Sequence, residues 1–195
     1  KNNNKIILTG GAFYKMYGED DIFFNILQNL IKLDSRILIL IIGDGHKSPL
    51  LNFITKNKLE NKIILLGNRK DINHIFSISD IYLSTFPISG GLMTQLAAVN
   101  HKPILSFSSE KFQFNNLNGI LEKNLNLLKT YCNVSELLLE ANKIIESEIY
   151  RKQSAENAFK SLISIDEFNR LFKKNINSPL KHTTFEIINI NYEAI

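Results

Sequence analysis

Ile37-Leu38-Ile39-Leu40-Ile41-Ile42-Gly43-Asp44-Gly45 joins six consecutive apolar residues to a Gly-Asp-Gly turn. An apolar run of this length suits a buried strand and falls well short of the roughly 18 residues a membrane span needs. A strand that is apolar at every position, without alternation, is covered on both faces, as in a parallel sheet. The glycines after it mark where the chain leaves the sheet.

The same pattern recurs on either side. Lys5 to Thr9 reads as a strand ending in Gly10-Gly11. Between the two runs, Ile22, Phe23, Ile26, Leu27, Leu30 and Ile31 recur at helical spacing, predicting a helix over Asp20 to Leu33. Glu19, Asp20 and Asp21 stand at its start, where negative charge suits a helix N-terminus. Downstream, Pro49 to Lys56 predicts a helix with Ser48 as N-cap and Pro49 in the first turn. Strands follow at Lys62 to Leu66, Asp80 to Thr85 and Pro103 to Phe107, and helices at Asp71 to Ser79 and Leu92 to Asn100. Alternating buried strands and helices predict an α/β fold with a doubly wound, Rossmann-like parallel sheet.

From Ser135 the pattern becomes helical. Leu137, Leu138, Ala141, Ile144 and Ile145 form one stripe, and further helices are expected over Tyr150 to Ile163 and Ile165 to Lys174. The expected organisation is a domain over 1–175 and a tail over 176–195. In that tail, Thr183 to Ile190 is β-prone and suits an edge strand or a docking segment.

Composition narrows the class. The chain has 195 residues, 44% hydrophobic and 22% charged, which excludes disordered, collagen-like and coiled-coil chains. A single cysteine, Cys132, excludes a disulfide framework and a Cys-rich zinc site, and fits a reducing cytoplasm. His46, His74, His101 and His182 show no metal-ligand spacing, so no metal is expected. Lys plus Arg is 23 against 19 for Asp plus Glu, a net charge of +4 compatible with phosphate-bearing ligands or an anionic surface. The basic residues form no run, so nucleic acid is not an expected partner. A start at Lys1, so close to a strand and with no signal segment, predicts a piece of a longer chain.

In an open α/β sheet, ligands gather at the carboxyl ends of the strands. Three loops therefore converge: Gly10 to Gly18, Gly43 to Lys47, and Pro87 to Gly91. The richest stretch is Phe86-Pro87-Ile88-Ser89-Gly90-Gly91-Leu92-Met93-Thr94-Gln95, where a strand end, two glycines and a helix start follow one another. Amides at a helix N-terminus bind phosphate, and glycine lets the ligand approach closely. The other reading is a tight turn and nothing more. Lys15 lies within reach of a phosphate in the first loop, or is simply solvated, and the same pair of readings holds for Arg69 and Lys70. Gly10-Gly11 lacks the third glycine of a dinucleotide fingerprint, and the chain has no P-loop or nucleophile elbow.

Taken in order, Ile41-Ile42-Gly43-Asp44-Gly45, Asn61-Lys62-Ile63-Ile64-Leu65-Leu66-Gly67, Ile78-Ser79-Asp80-Ile81-Tyr82-Leu83-Ser84, Ser89-Gly90-Gly91-Leu92, Ala97-Ala98 and Lys102-Pro103-Ile104-Leu105 resemble the C-terminal, nucleotide-sugar-binding domain of the GT-B glycosyltransferases, especially the bacterial glutamate-x7-glutamate group. The resemblance runs from Ile6 to about Phe107. It implies a glycosyltransferase moving a sugar from a nucleoside-diphosphate donor to a glycan or lipid-linked acceptor, with no separate cofactor. It implies a donor diphosphate on Lys15, Ser89, Gly90, Gly91 and Leu92, and the nucleotide and sugar near Gly67, Asn68, Arg69, Thr94 and Gln95. An N-terminal acceptor domain would be missing, so the chain alone would bind nucleotide and transfer nothing. A cytoplasmic location, including the inner face of the membrane, is what such enzymes imply.

The pattern departs from that group where its two glutamates would fall, at Ile88 and Leu96. The second glutamate would hold the ribose hydroxyls by charge-assisted hydrogen bonds, which leucine cannot do. Gln95 is adjacent, but one helical step turns a side chain by about 100°. Three readings stay open: a donor held through Ser89, Thr94 and Gln95, a non-catalytic GT-B-like accessory protein, or a register one residue away. A nucleotide-sugar epimerase is the remaining alternative.

Overall fold

The computed structural model describes residues 4–18, 20–109, 117–121 and 127–177. The chain divides into two compact units, Lys1–Ile163 and Ser164–Ile195. In the first unit, β1 (Lys5–Gly10), β2 (Ile37–Ile42), β3 (Ile63–Gly67), β4 (Ile81–Leu83), β5 (Ile104–Phe107) and β6 (Thr130–Tyr131) form one sheet in the order β3-β2-β1-β4-β5-β6. Every neighbouring pair is parallel. This is the doubly wound order, whose direction of winding reverses between β1 and β4.

Strand parity explains the uninterrupted apolar runs. Ile7, Ile39, Ile41, Ile81, Leu83 and Leu105 face one core, against Phe23, Ile26, Leu27 and Leu30 of α1 (Ile22–Leu33), Leu50 and Ile54 of α2 (Ser48–Lys56), and Leu137, Ala141, Ile144 and Ile145 of α6 (Val134–Glu146). Leu8, Leu40, Ile42, Tyr82 and Ile104 face the other, against Ile75 and Phe76 of α3 (Ile72–Ile78), Ala97 and Ala98 of α4 (Gly91–Val99), Leu117 and Leu121 beside and within α5 (Asn118–Leu121), and Ala158 of α7 (Glu148–Lys160). Each such Ile or Leu contributes about 1.5–3 kcal/mol by leaving water.

Two local expectations differ from what is observed, and one strand has no counterpart among the expected elements. Ser48 is the first residue of α2, not its cap; the cap is Lys47, and no side chain caps the helix. Pro49 already supplies the fixed φ of a first turn, so the helix begins without a hydroxyl. Asp80–Thr85 yields only the three-residue β4, because the chain turns away at Ser84 to reach the Phe86–Pro87 loop. The sheet's last strand is β6, two residues that pair Ser106 with Thr130 and Phe107 with Tyr131, too short to leave any period in the sequence. The β-prone Thr183 to Ile190, like Glu19, lies outside the described residues.

The second unit contains α8 (Ile165–Asn177), with Asp166 and Glu167 in its first turn and Phe168 stacked on Phe172 at 5.9 Å between ring centres. Among the described residues no helix is long and apolar enough to cross a membrane.

At the amino end of the sheet, Arg36 locks the α1–β2 turn. Its backbone N–H donates to Asp34 Oδ1 at 2.7 Å and its Nε to both carboxylate oxygens at 3.0 and 2.9 Å. The Arg36 guanidinium holds the Asp34 carboxyl down to about 2. A depressed carboxyl stabilises the fold above its ordinary value near 4 and loses that contribution as pH falls toward about 2. Asp34→Asn is therefore expected to lower the urea midpoint at pH 7, with the gap to wild type closing between about pH 4 and 2. A gap unchanged at pH 2 would contradict this account of the turn.

Candidate functional site

Four loops leave the carboxyl ends of β1 to β4, and backbone contacts join them into one rim. Gly11 N–H donates to Ile42 O at 2.9 Å and Phe13 N–H to Asp44 O at 3.0 Å, tying the first loop to the second. Gly43 N–H donates to Gly67 O at 3.0 Å, tying the second to the third. Ile88 N–H donates to Lys15 O at 3.3 Å, tying the fourth back to the first.

Glycine is needed where these backbones meet. A Cβ on Gly10 would sit 2.2 Å from Ile42 O, and one on Gly43 would sit 1.9 Å from Gly11 O. Gly43 also has φ +135, which side-chain-bearing residues rarely adopt. Side chains reinforce the joins. Asp44 Oδ1 accepts from Gly45 N–H at 2.8 Å and its Oδ2 from Asn68 Nδ2 at 3.3 Å. The Tyr17 hydroxyl donates to His46 O, and burial pushes that phenol's pKa up. Thr85 Oγ1 donates to Ile88 O at 2.7 Å, holding the fourth loop in its bend.

The fourth loop delivers the N-terminus of α4 to the β1/β4 switch point. Gly90 is its N-cap, with no side-chain cap, and a Cβ there would lie 3.0 Å from Gly10 O. Thr94 N–H donates to Gly90 O at 2.9 Å and is the first amide with a partner inside the helix. The amides of Gly91, Leu92 and Met93 precede it and by helix geometry point out of the N-terminus. Nothing lies within 4 Å of where a Gly91 Cβ would be, and Leu92 is 71% exposed. An open helix start of this kind suits an anion.

The residues named from the sequence fall into two groups. Lys15, half-buried in the short 3-10 turn Phe13–Met16, is joined through its carbonyl to the loop that carries Ser89, Gly90, Gly91 and Leu92. Gly67 and Asn68 stand across the second loop from them, linked through Gly43 and Asp44. Arg69 is exposed and forms a two-pronged pair with Asp71 at 2.8 and 2.7 Å, which holds the Asp71 carboxyl below the usual carboxylate range. Thr94 is fully buried beneath the turn, with its hydroxyl 3.5 Å from Ser84 Oγ. Gln95 turns away, donating to Ile120 O at 3.2 Å. Leu96 packs against the apolar cluster that contains Ala97 and Ala98. Lys102 lies at the opposite end of the sheet, donating to Ser79 O at 2.8 Å, where desolvation lowers its pKa.

Asp44 and Thr85, which organise the rim, carry no role in the sequence analysis, and neither does Tyr82, which is buried in β4 beneath it. The signal for Tyr82 was present: a phenol stands inside an otherwise apolar strand. Among the described residues no three His, Cys, Asp or Glu side chains gather as a metal ion would require.

The fold is that of the Rossmann-like half of a GT-B glycosyltransferase. Solved structures it matches include S. aureus TarM bound to UDP (15% identity, TM-score 0.70), over 90% of this chain and 36% of that one. Anabaena Alr3699/HepE with UDP and glucose matches at 18% identity and TM-score 0.68, over 91% of this chain and 49% of that one. WaaG, a glycosyltransferase involved in lipopolysaccharide biosynthesis, matches at 15% identity and TM-score 0.66, over 89% and 46%. The chain thus spans between about a third and a half of the length of these structures. No protein-family profile matches the chain, and no curated protein sequence does.

The two glycines of the turn are not equivalent. Gly90→Val places branched carbons against Gly10 O and is expected to lower the melting temperature by several degrees, whereas Gly91→Ala enters open space and leaves it within about a degree. Equal effects in thermal melts would contradict the turn geometry.

Proposed function

We propose that the chain is the donor-binding domain of a glycosyltransferase, holding a nucleoside-diphosphate sugar at the β1/β4 switch point. The observation that carries this reading is the uncapped N-terminus of α4, opening onto the same rim that holds Lys15. The amides of Gly90, Gly91 and Leu92 would take the diphosphate, with Lys15 and the Ser89 hydroxyl beside them. Stabilising the charge that grows on the departing diphosphate would be this domain's contribution to catalysis, and the scheme requires no metal. Gly67 and Asn68 would border the base. Arg69 would join them only by leaving Asp71. Matches to structures with UDP and with UDP-glucose support a nucleotide-sugar ligand. The acceptor, a glycan or a lipid-linked acceptor, would meet the donor in a cleft closed by a second domain, so this chain alone would transfer nothing.

One observation favours a non-catalytic accessory role instead: the helical position expected to carry the ribose-binding glutamate is Leu96, half-buried against the core cluster. Nucleotide binding separates the two readings. Calorimetric titration with UDP and GDP is expected to show saturable binding, weakened about five- to tenfold by Lys15→Ala, as loss of one charge-assisted contact implies. No heat from any nucleoside diphosphate would overturn the donor-site reading.

A further inference from the structure

Tyr82 stands directly beneath the Gly90 turn. It is the middle residue of β4, its side chain is fully buried, and its ring lies against Phe76 at 6.0 Å between centres. Its hydroxyl is aimed at the underside of the turn, 3.2 Å from where a Gly90 Cβ would be. The hydroxyls of Ser84 and Thr94 lie nearby, yet among the described residues the Tyr82 hydroxyl has no partner at hydrogen-bonding geometry.

A buried hydroxyl without a partner is costly, and phenylalanine would fill the same space without that cost. The turn above it offers one adjustable unit. Gly90 O is fixed by Thr94 N–H, the first hydrogen bond of α4, whereas the Ser89–Gly90 peptide precedes that bond and sits on a glycine with φ −82 and ψ 72. If that peptide rotates so that its N–H faces the rim, its carbonyl faces inward, toward Tyr82.

We propose that Tyr82 is a positioning residue for the anion-binding turn: its buried hydroxyl donates to the Ser89 carbonyl when a phosphate group draws the Gly90 amide outward. This rests on the donor-site reading of the same turn. The hydroxyl never touches the ligand. It holds one peptide in the orientation that presents an amide to the diphosphate, and so sets affinity from within the core.

The test compares the 195-residue wild-type chain with Tyr82→Phe by two measurements. Thermal melts without ligand report the fold, and titrations with UDP and with inorganic pyrophosphate report the turn. The expected result is a Tyr82→Phe melting temperature equal to or above that of wild type, with both ligands bound about tenfold more weakly. Equal affinities in the two proteins would overturn the proposal. So would a lower melting temperature, which would mean that the hydroxyl already bonds Ser84 or Thr94 and is structural. If wild type binds neither ligand, the donor-site reading itself fails, and the proposal with it.

Discussion

Gly43 is pressed so closely against Gly11 that a single added carbon would overlap the Gly11 carbonyl. The geometry of the rim depends on that contact. It fixes the loop after β1 against the loop after β2 by backbone alone, and the hydrogen bonds from Gly43 to Gly67 and from Ile88 to Lys15 extend the union to four loops. Interiors pack densely and tolerate little displacement, so loops joined this way keep their geometry without long side chains to brace them.

A division of labour follows. The strands contribute apolar side chains to two cores, one on each face, and these carry the stability. The loops at the carboxyl ends contribute mainly backbone: N–H groups that donate to the carbonyls of neighbouring loops and, at the start of α4, amides without internal partners. A site built from amides depends on glycine positions and helix direction more than on acidic or basic side chains. In the proposed donor site, the absence of glutamate at Ile88 and Leu96 would weaken the hold on the ribose and leave the amides in place.

Much of this was legible in the sequence. Runs such as Ile37–Ile42, short, wholly apolar and bounded by glycine, suit a strand covered on both sides, and the glycines after them locate the rim. Four residues of the expected α6 stripe, Leu137, Ala141, Ile144 and Ile145, are buried, and the fifth, Leu138, is half-buried against the same core. What stayed hidden depends on contacts distant in sequence or on very short elements. The strand Thr130–Tyr131 is defined only by pairing with β5. The burial of Thr94 and the diversion of Gln95 to Ile120 O follow from how α4 rolls against β4 and α5, which helical spacing alone does not specify. Arg69 is paired to a residue two positions away, a contact that depends on the shape of the loop.

The proposed donor site requires that backbone amides at the start of α4 receive an anion. Amide-resolved NMR of the isotopically labelled chain during addition of UDP tests it most directly. The largest shifts are expected on Gly90, Gly91 and Leu92, with smaller ones at Lys15 and Asn68 across the rim. Shifts confined to another surface, such as the groove between α1 and α2 lined by Asn25, Gln28 and Asn52, or no shifts at all, would contradict it.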